Sequence, residues 1–183
     1  YVASTSGTAQ LSVQYSRDAL GRIVAKTETL GGATDIYVYA YDLAGRLSGV
    51  QKNGTPAEAY TYDLNGNRLI ATLSGNPTSA TYDAQDRLLQ YGSTTYAYSG
   101  AGDLATKTTG GLSTTYSYDQ LGNLMGATLP GGPTITYLVD GKNRRVGKQV
   151  NGALAQGFLY QGDRWPIAEL DGAGTVVSRF VYG

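Results

Sequence analysis

Tyr60-Thr61-Tyr62-Asp63-Leu64-Asn65-Gly66-Asn67-Arg68-Leu69 reads as strand, tight turn, strand. Tyr60 and Tyr62 are two apart, so an extended chain puts both rings on one face of its sheet. Asp63 opens a turn by accepting hydrogen bonds from amides ahead of it. Gly66 takes the left-handed conformation that a β-carbon penalises. A type I turn closed by a glycine bulge links antiparallel strands in this way. Arg68 and Leu69 then begin the return strand.

The unit recurs at intervals of roughly 16 to 24 residues. Its first copy is Tyr15-Ser-Arg17-Asp18-Ala-Leu-Gly21-Arg22-Ile23, with Arg17 in the place of the second tyrosine. Tyr39-Ala-Tyr41-Asp42-Leu-Ala-Gly45-Arg46-Leu47 follows, ahead of the copy above. Tyr82-Asp83-Ala-Gln-Asp86-Arg87-Leu88 has Asp86 for the turn glycine, another residue that tolerates the left-handed region. Tyr96-Ala-Tyr98-Ser99-Gly-Ala-Gly102-Asp103 exchanges the aspartate for serine, and Tyr116-Ser-Tyr118-Asp119-Gln-Leu-Gly122-Asn123-Leu124 restores the pattern. Later copies drift, around Tyr137 with Asp140 and around Tyr160 with Gly162. Phe180-Val-Tyr182-Gly183 reads as the start of one more strand.

Between the copies lie further turn signals: Gly31-Gly32, Asn53-Gly54, Gly75-Asn76-Pro77, Gly92-Ser93, Gly110-Gly111, Pro130-Gly131-Gly132 and Asn151-Gly152. Asn-Gly and Gly-Gly are strong two-residue hairpin signals. Each repeat therefore holds two strands and two turns, and the chain zigzags as a meander. Glycine interrupts every candidate helix before about 12 residues. The expected fold is all-β: one repeat-built domain over residues 1–183, with almost no helix.

Composition narrows the function. Sixteen tyrosines against two phenylalanines and one tryptophan, with 26 glycines, suit strands and turns. Formal net charge is zero and charged residues make up 15%, so nothing argues for nucleic acid or an anionic membrane. No cysteine is present, which removes disulfides and thiolate chemistry; no histidine is present, which removes the imidazole base and ligand. No apolar run is long enough to span a bilayer as a helix. Tyr1-Val-Ala-Ser is neither a signal peptide nor a start methionine, so the chain reads as an excised fragment.

About eight repeats give roughly 15 strands, some 70 Å of sheet at about 4.8 Å per strand. Open twisted sheets rarely pass about ten strands without curling. The sheet is expected to curve strongly. Closed on itself it would leave a bore of only about 10 Å between side chains, so the chain reads as a length of wall. Its edges invite self-association with further strands.

The repeated Tyr-Asp-x-x-Gly-Arg/Asn-Leu resembles the YD repeat of the RHS proteins, which include polymorphic toxins, the B and C components of Tc toxins, and teneurins. The C-terminal third, from Asp140 to Arg144-Arg145-Val146 and on to Glu169-Leu170-Asp171-Gly172, resembles the stretch before the RHS core motif. The resemblance covers Tyr15 to Gly183. It implies a β-ribbon shell that encloses a C-terminal toxin or other client polypeptide, a secreted or cell-surface location, and a bacterial source. Partners would be the rest of the shell and the client. The DPxG-type segment where such shells cleave themselves has no match, since no proline follows an aspartate. Neither self-cleavage nor toxin activity is carried over, and no enzyme activity, cofactor or metal is expected.

The motif residues are expected to be structural: Asp18 and Gly21; Tyr39, Tyr41, Asp42, Gly45 and Arg46; Tyr60, Tyr62, Asp63, Gly66 and Arg68; Tyr82, Asp83 and Arg87; Tyr96, Tyr98 and Gly102; Tyr116, Tyr118, Asp119 and Gly122; Tyr137 and Tyr160. Paired tyrosines also suit a ladder binding a glycan, the alternative function of an adhesin, but cross-strand packing is the plainer role. Asp42 with Arg46 suits a local turn pair. Asp63-x-Asn65-x-Asn67 opens like a calcium loop, yet Arg68 stands where the loop glycine belongs and Ser74 where its glutamate belongs. Glu169 with Asp171 or Asp163 would be the candidate carboxylate pair of a glycosidase. Trp165-Pro166 either anchors a partner or covers the end of the sheet.

Overall fold

The computed structural model describes residues 2–5 and 8–182, with side chains from residue 11 onward. Tyr1 and Gly183, the ends of the expected domain, lie outside the described residues. Among the described residues there is no helix, and every strand pair in each unit is antiparallel, as the turn spacing requires. The chain forms two compact units, Tyr1–Gly92 and Ser93–Gly183.

The first unit runs β1 (Val2–Thr5), β2 (Thr8–Arg17), β3 (Ile23–Leu30), β4 (Ala33–Tyr41), β5 (Leu47–Lys52), β6 (Thr55–Tyr62), β7 (Arg68–Leu73), β8 (Asn76–Tyr82) and β9 (Leu88–Tyr91). Each pairs with the next in chain order. The second unit repeats the meander through β10 (Thr94–Tyr98), β11 (Leu104–Thr109), β12 (Leu112–Tyr118), β13 (Leu124–Thr128), β14 (Thr134–Val139), β15 (Arg145–Val150), β16 (Ala153–Gln161), β17 (Trp165–Leu170) and β18 (Val176–Arg179). The strands exceed the roughly 15 expected because β1 precedes the first motif and β18 follows a tyrosine-free turn at Asp171.

The Tyr-Asp turns have the geometry their residues dictate. The Gly45 amide donates to the Asp42 carbonyl at 3.0 Å, and the Asp42 amide to the Arg46 carbonyl at 2.9 Å. Gly45 has φ 83°; Asp86 at 60° and Asn143 at 64° fill the same left-handed position in their copies. At the other end of the strands two-residue turns with positive φ at both positions recur, as at Asn53-Gly54 and Asn151-Gly152, whereas β13 and β14 are joined by five residues, Leu129 to Pro133, of which Gly131 has φ 55°. One boundary differs from the sequence reading. The turn placed at Gly75-Asn76-Pro77 is Ser74-Gly75, with φ 49° and 82°, and Asn76 already belongs to β8.

A feature without a sequence signal recurs after every Tyr-Asp turn. Tyr41 pairs with Leu47 and Ala40 with Gly49, so Ser48 has no partner. The same slip occurs after Tyr62 and Tyr118. Such a bulge bends its strand and increases the local twist.

Each unit is one layer thick. Its buried side chains are small, and most are set opposite tyrosines: Val50 faces Tyr39, Ala71 faces Tyr60 and Ala127 faces Tyr116, while Ala168 faces Leu159. Ala71 is 2% exposed, and among the described residues no large side chain is fully buried. Cohesion must therefore come from ladders, turns and the half-buried tyrosine face.

Candidate functional site

The register sorts the strand residues into two unlike faces, because directly opposed residues share a side. On one face Tyr15, Lys26, Tyr37 and Lys52 form a continuous cross-strand row. Tyr96 stands beside Lys107, and Tyr137 beside Lys148. Every charged strand residue from Arg17 to Glu169 falls on this tyrosine face; among the described residues Arg179, opposite Ala168, is the exception. Apart from Arg179, the strand residues described on the opposite face are uncharged. Its rows read Ala40, Gly49, Ala59, Thr72, Pro77 in the first unit and Ala97, Thr106, Thr115, Thr128, Thr134 in the second. Ile36 and Val38 lie on it 49% and 45% exposed. Grooves of about 220 Å³ at Gly49 and 380 Å³ at Gly126 open there. A β-carbon at Gly126 would come within 3.0 Å of Ser117 Oγ and 3.1 Å of the Ile135 carbonyl.

The motif aspartates close their own turns. Asp42 accepts from the Arg46 amide at 2.9 Å and from Arg46 Nε at 2.7 Å. Asp18 does the same with Arg22, Asp83 with Arg87 and Asp140 with Arg144. Asp63 and Asp119 use Asn67 and Asn123. Ser99, the weaker substitute, accepts from the Asp103 amide at 3.2 Å. The clamp partner is thus the fourth residue after the aspartate. In the third copy that is Asn67, and Arg68 instead heads β7 with its guanidinium 5.6 Å from the Tyr60 ring and 5.9 Å from that of Tyr91.

The second tyrosine of a motif locks onto the preceding repeat. Tyr41 donates to the Ile23 carbonyl at 2.6 Å, Tyr62 to Leu47 at 2.8 Å, Tyr82 to Arg68 at 3.1 Å and Tyr160 to Arg145 at 2.9 Å. The preceding clamp arginine covers the same ring: Arg22 lies 4.6 Å from the centre of Tyr41, Arg46 4.6 Å from Tyr62 and Arg144 4.8 Å from Tyr160. Tyr118 packs opposite Leu124, and Tyr98 opposite Leu104. Trp165 takes the arginine's place at the last lock, its ring 4.7 Å from that of Tyr182, whose hydroxyl donates to the Pro166 carbonyl at 2.7 Å. The contact joins β17 to the residues that follow β18, the last strand of the unit. Phe180–Tyr182 fall outside the assigned strands, yet the Phe180 amide still bonds the Ile167 carbonyl at 3.0 Å.

Hydrogen bonding sets the ionisation. The Arg46 amide and guanidinium hold Asp42 below the usual carboxylate range, and the Asn67 and Asn123 amides do so for Asp63 and Asp119. Tyr60 is pushed up to about 12 by the hydrogen bond it gives Glu58 at 2.5 Å, with burial adding to the effect. The neutral phenol is favoured by folding, so this contribution is complete below pH 10 and lost as pH rises through about 12. Glu58→Gln should return Tyr60 toward 10, measured as phenolate absorbance during a spectrophotometric titration.

The other candidates are used locally. Asn65 and Asn67 both donate to Asp86 Oδ1, at 2.9 and 2.6 Å. Glu169 accepts from Gln156 at 2.6 Å, Asp171 caps the Ala173 and Thr175 amides, and Asp163 pairs with Lys142. Some of the tyrosine faces proposed for glycan are covered, Tyr137 by Arg145 at 3.9 Å and others by clamp arginines; Tyr37, outside that set, is covered by Lys26 at 4.1 Å. Arg22, Asn123 and Arg144 were absent from the expected site, and Asn67 stood there only as part of the calcium-loop candidate. Their signal was position four after the aspartate.

The family model described as Teneurin YD-shell matches residues 4–183. The chain belongs to the YD-shell family. This YD-shell chain is 34% identical over 156 residues to Teneurin-4 of Mus musculus, covering 82% of the chain and 5% of that protein. It is 31% identical over 139 residues to the tRNA nuclease WapA of Bacillus subtilis, covering 72% of the chain and 6% of that protein. The YD-shell chain therefore spans about one twentieth of these curated relatives. Among solved structures, the Photorhabdus luminescens Tc holotoxin pore matches with TM-score 0.60 and 20% identity, over 75% of this chain and 9% of that one. The TcdB2-TccC3 complex without its hypervariable C-terminal region matches with TM-score 0.58 and 18% identity, over 87% and 9%. These two likenesses concern the fold. The RHS/YD-repeat reading of the motif is borne out, and the chain is a structural shell module.

Proposed function

We propose that residues 1–183 act as one repeat-built length of shell wall, and that its neutral face is turned toward an enclosed polypeptide. The observation that carries this is the division of charge across a one-layer sheet. Fixed charges on the tyrosine face favour water and keep such a sheet from aggregating. A lining of threonine, serine, alanine and glycine with scattered aliphatic side chains presents no fixed charge to a client chain except Arg179 in β18. No step of catalysis is part of the reading. The nuclease activity named for the Bacillus relative is not extended to this chain, which spans 6% of that protein. Export from the cytoplasm fits the same reading. Relatives occur in both mouse and Bacillus, so a bacterial source forms no part of it.

A photo-crosslinking amino acid placed at Thr136 and, separately, at Lys148 of the full-length gene product tests this. Thr136 lies on the neutral face beside Gly126; Lys148 lies beside Tyr137. Crosslinks to another segment of polypeptide are expected from Thr136 alone. Crosslinks from Lys148 alone, or from neither position, would overturn the proposal.

A further inference from the structure

We infer that the residue closing each Tyr-Asp turn and the left-handed residue of the next turn form a matched pair that fixes which repeat can stack on which. Arg22 and Arg46 are each followed by a turn whose left-handed residue, three places after the aspartate, is glycine: Gly45 and Gly66. Asn67 and Asn123 are each followed by one that carries a side chain: Asp86 and Asn143.

The two arrangements exclude each other for a physical reason. Arginine is long enough to cross to the next turn, where Arg46 Nη1 donates to the Asp63 carbonyl at 2.8 Å and Arg144 Nη1 donates to the Gly162 carbonyl. Its guanidinium then lies over the left-handed position: a β-carbon there would sit 3.7 Å from Arg22 Nη1 at Gly45 and 4.0 Å from Arg46 Nη1 at Gly66. A β-carbon alone fits, but the rest of a polar side chain would enter the guanidinium's space. Asparagine is too short to cross, so the next turn must reach back. Asp86 accepts from Asn67 Nδ2 at 2.6 Å, and Asn143 from Asn123 Nδ2 at 2.5 Å. Near-identical repeats would otherwise pair in several registers, which weakly specified strands are prone to do. The matched pair supplies a local distinction between them, and it does not depend on what the wall contains.

The test is a pair of double-mutant cycles in the full chain, read by urea unfolding. One converts Arg46 and Gly66 to asparagine, singly and together; the other uses Asn123→Arg and Asn143→Gly. The cost of a left-handed asparagine cancels within a cycle, so what remains is the coupling. Each single change should raise the unfolding constant. Each double should lie about threefold or more below the product of its singles. Multiplicative singles in either cycle would overturn the matching rule. If one single variant does not fold, the other cycle decides.

Discussion

Tyr62→Ala should lower the stability of the chain by about 3 kcal/mol, the usual range for truncating a packed aromatic side chain. Three contacts disappear together. The hydroxyl no longer bonds the Leu47 carbonyl at 2.8 Å, Arg46 loses the ring 4.6 Å beneath its guanidinium, and the ring no longer covers the start of the return strand. Tyr62→Phe separates these contributions. It keeps the ring and removes the hydroxyl, and should cost about 1 kcal/mol. For a chain of this size the alanine variant should melt about 6 to 12 °C lower. Repeats contact their sequence neighbours, so the damage should also be local. Hydrogen exchange should quicken in β5, β6 and β7 well before β2 and β3. A loss below about 0.5 kcal/mol for alanine, or equal losses for alanine and phenylalanine, would mean that the lock contributes little.

How much of this lock was legible depends on how far along the chain its parts lie. The Tyr-x-Tyr-Asp-x-x-Gly unit declares itself because its determinants sit within seven residues: an aspartate to take the amides, a glycine to turn left, tyrosines two apart. The two-residue turns at Asn53-Gly54 and Asn151-Gly152 were legible for the same reason. Ser74 was missed because serine at φ 49° is uncommon, and Asn76-Pro77 supplied a stronger but misleading turn signal. The bulge at Ser48 has no local signature, since it exists only in the register between β4 and β5. The reach of Arg46 to the next turn spans 17 residues, and the bond from Tyr62 to Leu47 spans 15. Those contacts follow from strand pairing, which sequence spacing implies without fixing. The division of charge between faces was legible only once the bulges had been placed, because each one changes which residues share a side.

The second large effect should come from acid. Arg46, Asn67, Arg87, Asn123 and Arg144 hold Asp42, Asp63, Asp83, Asp119 and Asp140 below the ordinary carboxylate range through backbone and side-chain hydrogen bonds. Burial opposes the shift at Asp18, yet the bonds from Arg22 and Leu20 still bring it below that range. A carboxylate lowered by folding is protonated first in the unfolded chain. Its contribution is therefore complete above the unfolded value near 4 and is lost as pH falls through the folded values. Six turns of the same construction should fail over one pH interval. The melting temperature is expected to hold from pH 7 to about 5 and then to drop steeply below about 4. Asp42→Asn and Asp63→Asn together keep an oxygen for the turn amides but remove two of the six titrating clamps. That variant should start lower at pH 7 and lose about a third of the acid-dependent drop. Circular dichroism melts of both proteins from pH 7 to 2 measure this. Parallel curves would place the acid sensitivity elsewhere. A shallower curve for the variant would place it in the turns, where a one-layer sheet with no large buried side chain has to keep its stability.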